Sequence, residues 1–349
     1  MNKLTSWINK NDYDYFRPKR LLGPISITNL YSTKYNKNIW FFGDVHIKAA
    51  RCNVSKYEII KFADLVKKEL DRNQNKLIDI FIETKYITEE GEFIISSEEQ
   101  SSYLGEIIQQ FENCLQLDKT ACAHKNARFH YVDIRQKQDK PSMLFDFLSV
   151  IVLNLSSPDN LDEAYENYRE LIKLFDYSLN AVYDVINNFN FMNYIKQSKI
   201  VKQIENIDDK DVVEKLFNHI SKLIIEAEVT KDKIKLIFNK IVKDMDTQNT
   251  NYDYEFYKLN KKIFYINSEL VDMYMIARMF RKFKELPGKI NIPAHNIIVY
   301  AGDAHVQRCV NFLVNNLGFK VLEEEYSNKE MSNFQCVDIS KIYFPLFKL

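Results

Sequence analysis

Asn38-Ile39-Trp40-Phe41-Phe42-Gly43-Asp44-Val45-His46 is an apolar run that stops at a glycine, followed at once by an acid and, two places on, a histidine. Near the other end of the chain, Asn296-Ile297-Ile298-Val299-Tyr300-Ala301-Gly302-Asp303-Ala304-His305 repeats the plan. A short apolar stretch bounded by a turn residue reads as a strand buried on both faces, as in a helix-covered parallel sheet. Two more runs suit the same sheet: Leu77 to Ile82, ending at Glu83, and Ala127 to Val132, ending at Asp133. Amphipathic segments separate them. Residues 55–72 carry Ile59, Ile60, Ala63, Val66 and Leu70 at helical spacing, and residues 97–117 carry Tyr103, Ile107, Ile108, Phe111 and Leu115. The alternation predicts an α/β fold with a mainly parallel central sheet flanked by helices.

From about 141 to 285 the pattern turns wholly helical, with no glycine between Gly105 and Gly288. One stripe runs from Tyr165 through Phe175 to Ile186, a second from Leu216 to Ala227 and a third from Ile234 to Met245. Polar stretches near 154–161, 203–211 and 246–253 suggest the loops between them. This segment reads as an all-helical insertion or cap between two parts of one α/β core, 1–140 and 286–349. After the second Gly-Asp-x-His, His305 to Leu317 is helical with Gly318 as its stop. Phe319 to Leu322 and Cys336 to Ile339 suit two late strands.

Composition narrows the function classes. Lys and Arg (48) balance Asp and Glu (48), and the densest basic runs, Arg17 to Arg20 and Arg281 to Lys284, are short. No phosphate track is expected, and so no nucleic-acid partner. The five cysteines are scattered without a Cys-x-x-Cys pair, which predicts free thiols in a reducing compartment. No signal-peptide pattern follows Met1, and no apolar run is long enough for a membrane span. The expectation is a cytoplasmic chain acting on a small-molecule or peptide substrate.

In open α/β sheets ligands bind outside the carboxyl ends of the strands. Gly43 and Gly302 are the turn glycines there, and His46 and His305 face one crevice if their strands are parallel neighbours. Glu83 ends its own strand directly, as do Asp133 and, two positions on, Arg135. Two imidazoles and a carboxylate suit a divalent metal (Mn, Co, Zn or Fe), with Glu83 as third ligand or general base. Asp44, Asp303 and Asp133 would support the ligands, and Arg135 would stabilise developing negative charge. Asp272 stands in a helix apolar on almost every side, Leu270 to Ile276, where a carboxylate needs a partner; it reads as a further supporting residue that holds a ligand or an arginine in place, or else as the cap of a neighbouring loop. The bland readings are that Asp303 caps a helix and that Asp133 and Arg135 form a structural salt bridge. Arg51, His124, His130, His219 and His295 fall outside the pattern and read as structural or surface residues.

Paired Gly-x-x-His motifs with a strand-end glutamate between them resemble the TraB/PrgY/GumN family, which includes the Tiki proteins and is distantly like erythromycin-esterase and ChaN-like proteins. Gly43 to His46, Glu83 and Gly302 to His305 carry the resemblance, over roughly residues 36–135 and 265–325. Asp272 to Met275 resembles the tail of that family's acidic-Arg-Asp-x-x-Met helix, with Val271 in place of the arginine. The resemblance implies a metal-dependent hydrolase attacking a carbonyl bond, peptide or ester. Gly43-Asp44-Val45-His46 also resembles the opening motif of calcineurin-like metallophosphoesterases, but no Gly-Asp-x-x-Asp or Gly-Asn-His follows. A non-catalytic binding protein with a relic site is the third reading.

Overall fold

A computed structural model describes residues 18–46, 51–85, 102–115, 122–134, 190–243, 253–283, 293–327 and 334–347. The chain divides into two compact units, residues 1–133 with 292–349, and residues 134–291.

The first unit holds the sheet. Its strands are β1 (Arg20–Leu22), β2 (Ser26–Ser32), β3 (Lys37–Asp44), β4 (Ile59–Lys61), β5 (Ile78–Lys85), β6 (Ala127–Asp133), β7 (Asn296–Gly302), β8 (Lys320–Tyr326) and β9 (Cys336–Asp338). The six-stranded sheet has the order β6-β5-β7-β3-β2-β8, and β4-β1-β9 form a smaller one. The ladders β6-β5, β5-β7 and β7-β3 are parallel, whereas β3-β2 and β2-β8 are antiparallel. The fold is therefore α/β with a mixed sheet. The antiparallel edge arises because Thr33 to Asn36 close a hairpin between β2 and β3. Asn36 adopts φ +49 there, a conformation asparagine tolerates. Sequence reading passed over β2 because Ser-Ile-Thr-Asn-Leu-Tyr-Ser lacks an apolar run.

The parallel strands are the apolar runs. One face presents Trp40, Phe42, Ile78, Ile80, Ile82, Ile298 and Tyr300 to a core completed by helices α1 (Phe62–Arg72) and α2 (Tyr103–Gln110). Phe62 stacks on Tyr300 and tilts against Phe42, with centroids 4.5 and 4.6 Å away, a geometry worth ~1 kcal/mol per pair beyond burial. The other face, with Ile39, Phe41, Phe81, Ile297 and Val299, is equally buried, so both faces are covered as parallel strands require. The helix after β7, Asp303–Leu317, packs on β2, β3 and β7. Gly318 ends it at φ +70, a left-handed stop.

Two expected helices are shorter than their periodicity. Residues 55–61 are not helical: Lys56–Glu58 make one 3-10 turn, and Ile59 to Lys61 form β4 alongside β1. That pairing overrides the local apolar spacing. Helix α2 breaks at Phe111, and a short turn, α3 (Glu112–Leu115), follows.

The second unit is helical where it is described: α4 (Phe191–Gln197), α5 (Lys199–Ile204), α6 (Lys210–Lys243) and α7 (Asp253–Phe280). The stripes expected as two helices from Leu216 and Ile234 are one continuous α6 of 34 residues. The stripe from Tyr165 to Ile186 lies outside the described residues. Among the described residues no helix is long and apolar enough to cross a membrane.

The thiol expectation is overturned. Cys52 bonds Cys336 and Cys114 bonds Cys122, with Cα atoms 5.5 and 4.5 Å apart, and the buried Cys309 takes part in neither bridge. Scattered spacing hid these bridges because the tertiary fold, rather than the sequence, brings Cys52 beside Cys336. Disulfides belong to oxidising compartments, so the cysteines no longer argue for the cytoplasm.

Candidate active site

Registers among the parallel strands put the two Gly-Asp-x-His turns side by side. Asp44 lies opposite Gly302 in the β3-β7 ladder, and Ile82 opposite Tyr300 in the β5-β7 ladder. Strand β7 is therefore the central rail, with His46 leaving its β3 side and Glu83 standing on its β5 side. His46 reaches Glu83 across Gly302. A Cβ on Gly302 would stand 2.7 Å from His46 Nε2 and 3.3 Å from Glu83 Oε2. Gly43 makes the reciprocal opening: the space beside its Cα is filled by Asp303 Oδ1 and Ser26 Oγ, and Ser26 donates a hydrogen bond to Asp303. Each motif's glycine thus admits a side chain of the other motif. That explains why glycine is present twice at positions whose neighbours are otherwise large.

Glu83 is the hub. Its Oε2 accepts the Gly302 N–H at 2.6 Å and lies 3.5 Å from His46 Nε2, and its Oε1 lies 3.3 Å from His305 Nε2. Burial opposes its charge, but hydrogen bonds from His305 and His46, and the positive charge of either ring when it is protonated, hold its carboxyl well below the usual range. His46 is raised, first by its hydrogen bond to Glu83, against burial, and further by the charges of Glu83 and Asp44. The His46 side chain is 46% exposed, against 8% for His305 and 5% for Glu83, so His46 is the member open to a substrate. It adopts φ +57. For a non-glycine residue that costs ~1 kcal/mol or more and is characteristic of functional positions.

Asp44 sits under His46, with Oδ2 3.9 Å from Nδ1. Its Oδ1 accepts the Val45 N–H at 2.8 Å and Gln335 Nε2 at 3.2 Å. Burial pushes its carboxyl up, with His46 and the Val45 amide pulling back. Burial pushes the Tyr300 phenol well above its ordinary value and the charge of Asp44 adds to the rise, although neither Tyr300 Oη nor Asp44 Oδ2 makes a hydrogen bond of ordinary geometry.

The expected site residues thus divide. His46, Glu83, His305, Asp44, Gly43 and Gly302 converge. Asp303 opens the last helix, which we label α8 (Asp303–Leu317), and bonds Ser26 and Gln307 instead of an imidazole; the cap residue is Gly302. Asp133 ends β6 at the same sheet edge. Arg135 lies outside the described residues, and Asp272 is buried in α7 of the other unit. Of the histidines read as structural, His130 pairs with Asp79 at 2.7 Å and His219 with Glu269 at 3.2 Å. Reading the sequence missed Ser26, Gln335 and Arg308. Only Arg308, one helical turn beyond His305, was within reach of a spacing argument.

The donor types suit a divalent ion, but their disposition does not. Among the described residues no three His, Cys, Asp or Glu side chains are placed to hold one. Arg308 Nη2 lies 3.1 Å from His305 Nδ1. A guanidinium only donates, so Nδ1 accepts and the neutral imidazole carries its proton on Nε2, facing Glu83. A metal on Nε2 requires the opposite tautomer.

No family model, no curated protein and no solved structure matches the chain. The likeness to the TraB/Tiki group therefore rests on the motifs and their order.

Proposed function

We propose that the chain is a hydrolase of carbonyl bonds, peptide or ester, in which His46 moves the proton of an attacking water. The observation that carries this reading is a buried, charged Glu83 shared by a half-exposed His46 and a buried His305 at the carboxyl edge of the strands. Neutral His46 takes a proton from water as the oxygen attacks the carbonyl carbon. The resulting imidazolium, stabilised by Glu83 and Asp44, returns that proton to the leaving oxygen or nitrogen. His305 and the Gly302 amide keep Glu83 charged and aimed, and Asp44 limits rotation of the imidazole. A positioned acid–base group of this kind contributes about 10²–10⁴ in rate. The resemblance implied a metal in this role. The tautomer at His305 supports proton transfer by the side chains themselves, and no step here is routed through an ion. The two disulfides favour an oxidising setting over the cytoplasm.

The test is a panel of ester, amide and phosphate-ester substrates assayed with wild type, Glu83→Gln and His46→Gln. The expected result is hydrolysis of one or more carboxyl substrates, reduced at least ~100-fold by either change with folding retained. Activity on phosphate esters alone would favour the metallophosphoesterase reading, and activity indifferent to both substitutions would remove His46 and Glu83 from the chemistry. Ligand binding without turnover would favour a binding protein.

A further inference from the structure

His305 and Arg308 lie one turn apart on α8, so their side chains share a helix face. The contact between them decides what His305 can do. Arg308 Nη2 is 3.1 Å from His305 Nδ1, and a guanidinium has five donors, no acceptor and no accessible neutral form. The ring therefore presents a lone pair to Arg308 and, when neutral, an N–H to Glu83 Oε1 at 3.3 Å. Metal-ligating histidines are arranged the other way round: the second nitrogen donates to a carboxylate or carbonyl, leaving the first free to bind the ion. Two imidazoles and a carboxylate otherwise supply the donors of a common transition-metal site.

We propose that Arg308 is a positioning residue that locks His305 as a hydrogen-bond donor to Glu83, and so keeps a latent His46–Glu83–His305 metal site in a metal-free, proton-transferring state. The proposal deepens the hydrolase reading but does not need it, because tautomer and metal affinity are read without turnover. Replacing Arg308 frees His305 Nδ1 to hold the proton, and Nε2 is then open to a divalent ion. The repulsion of a neighbouring cation disappears in the same step. Three replacements change the charge and the hydrogen bond in different combinations. Arg308→Lys keeps a charged donor. Arg308→Met removes charge and donor together. Arg308→Gln removes the charge and adds a carbonyl oxygen that accepts from Nδ1–H, the partner a metal-bound imidazole uses.

The experiment is titration of chelator-treated full-length protein with Co(II) at neutral pH, followed by its visible d–d bands and by calorimetry. Alongside it, ¹⁵N shifts of the histidine rings in the metal-free protein are measured. The expected order of affinity is Gln above Met above Lys, with Lys equal to wild type. Arg308→Gln should bind about 10–100-fold more tightly than wild type, the range that groups supporting a ligand command. The wild-type His305 ring should show an unprotonated Nδ1 and a protonated Nε2. Wild-type affinity in both Gln and Met would overturn the tautomer lock. So would tight Co(II) binding by wild type, or a protonated Nδ1 in its ring spectrum. The wild-type spectrum decides the matter even if a variant fails to fold.

Discussion

Gly302→Ala tests the interlock of the two turns with the smallest possible change. Gly302 has φ −53 and ψ 139, values alanine adopts freely, so backbone strain is not introduced. Losing glycine at a helix cap costs on the order of 1 kcal/mol, while the stiffer unfolded chain returns about 0.4–1 kcal/mol. Stability should therefore change by less than about 1 kcal/mol. The site is another matter. The new methyl would stand 2.7 Å from His46 Nε2, and ordinary contact needs about 3.5 Å, so the imidazole must retreat by about 0.8 Å. Its separation from Glu83 Oε2, already 3.5 Å, then exceeds hydrogen-bonding distance. Misplacement on this scale costs about 10²-fold in rate. It also removes the largest cause of the raised proton affinity of His46. The assay is an NMR titration of the His46 ring beside a urea melt and the hydrolysis rate. In wild type the His46 midpoint should lie above the ordinary histidine value, and in the variant it should fall toward that value while the melt is nearly unchanged. A variant with an unmoved His46 midpoint and full activity would refute the crossing of His46 over Gly302.

Three further outcomes follow from the packing. Asp79 is buried and takes Arg128 on both oxygens at 2.7 Å, with His130 on the same Oδ1; Asp79→Leu should cost about 3–5 kcal/mol in urea unfolding by stranding the guanidinium, and Asp79→Leu/Arg128→Met distinctly less, whereas simple additivity would disprove the coupling. Burial raises the Glu69 carboxyl in the folded chain, so its ionisation opposes folding; wild type should lose stability relative to Glu69→Gln as pH rises through the ordinary carboxyl value, and a difference independent of pH would contradict this. The Cys52–Cys336 bridge spans 284 positions and Cys114–Cys122 only 8, worth about 5–6 and 2.5 kcal/mol respectively by loop-closure entropy; Cys336→Ser should destabilise about twice as much as Cys122→Ser, and an intact mass showing five free thiols would remove both bridges.

Much of the site was legible because its signals are local. A strand ended by glycine, acid and histidine announces both its direction and its functional edge, and the parallel register then needs only that β3, β5 and β7 be neighbours. Glu83 was legible for the same reason. What escaped notice depends on distant chain meeting distant chain. Gln335 clasps Asp44 across 291 positions and Ser26 meets Asp303 across 277, and neither residue type has a pattern that betrays this. Strand β4 was hidden because Ile59 and Ile60 suit a helix until β1 offers them a partner. The protonation of His305 is a relation between two side chains, and only the folded arrangement reveals it.

The most direct test of the central claim is the hydrolysis rate of chelator-treated protein, measured together with its metal content by mass spectrometry. The expected result is an undiminished rate on a carboxyl substrate with far less than one divalent ion per chain, abolished by Glu83→Gln. A rate lost on chelation and restored by one equivalent of Mn, Co, Zn or Fe would contradict it and return the chemistry to a bound ion.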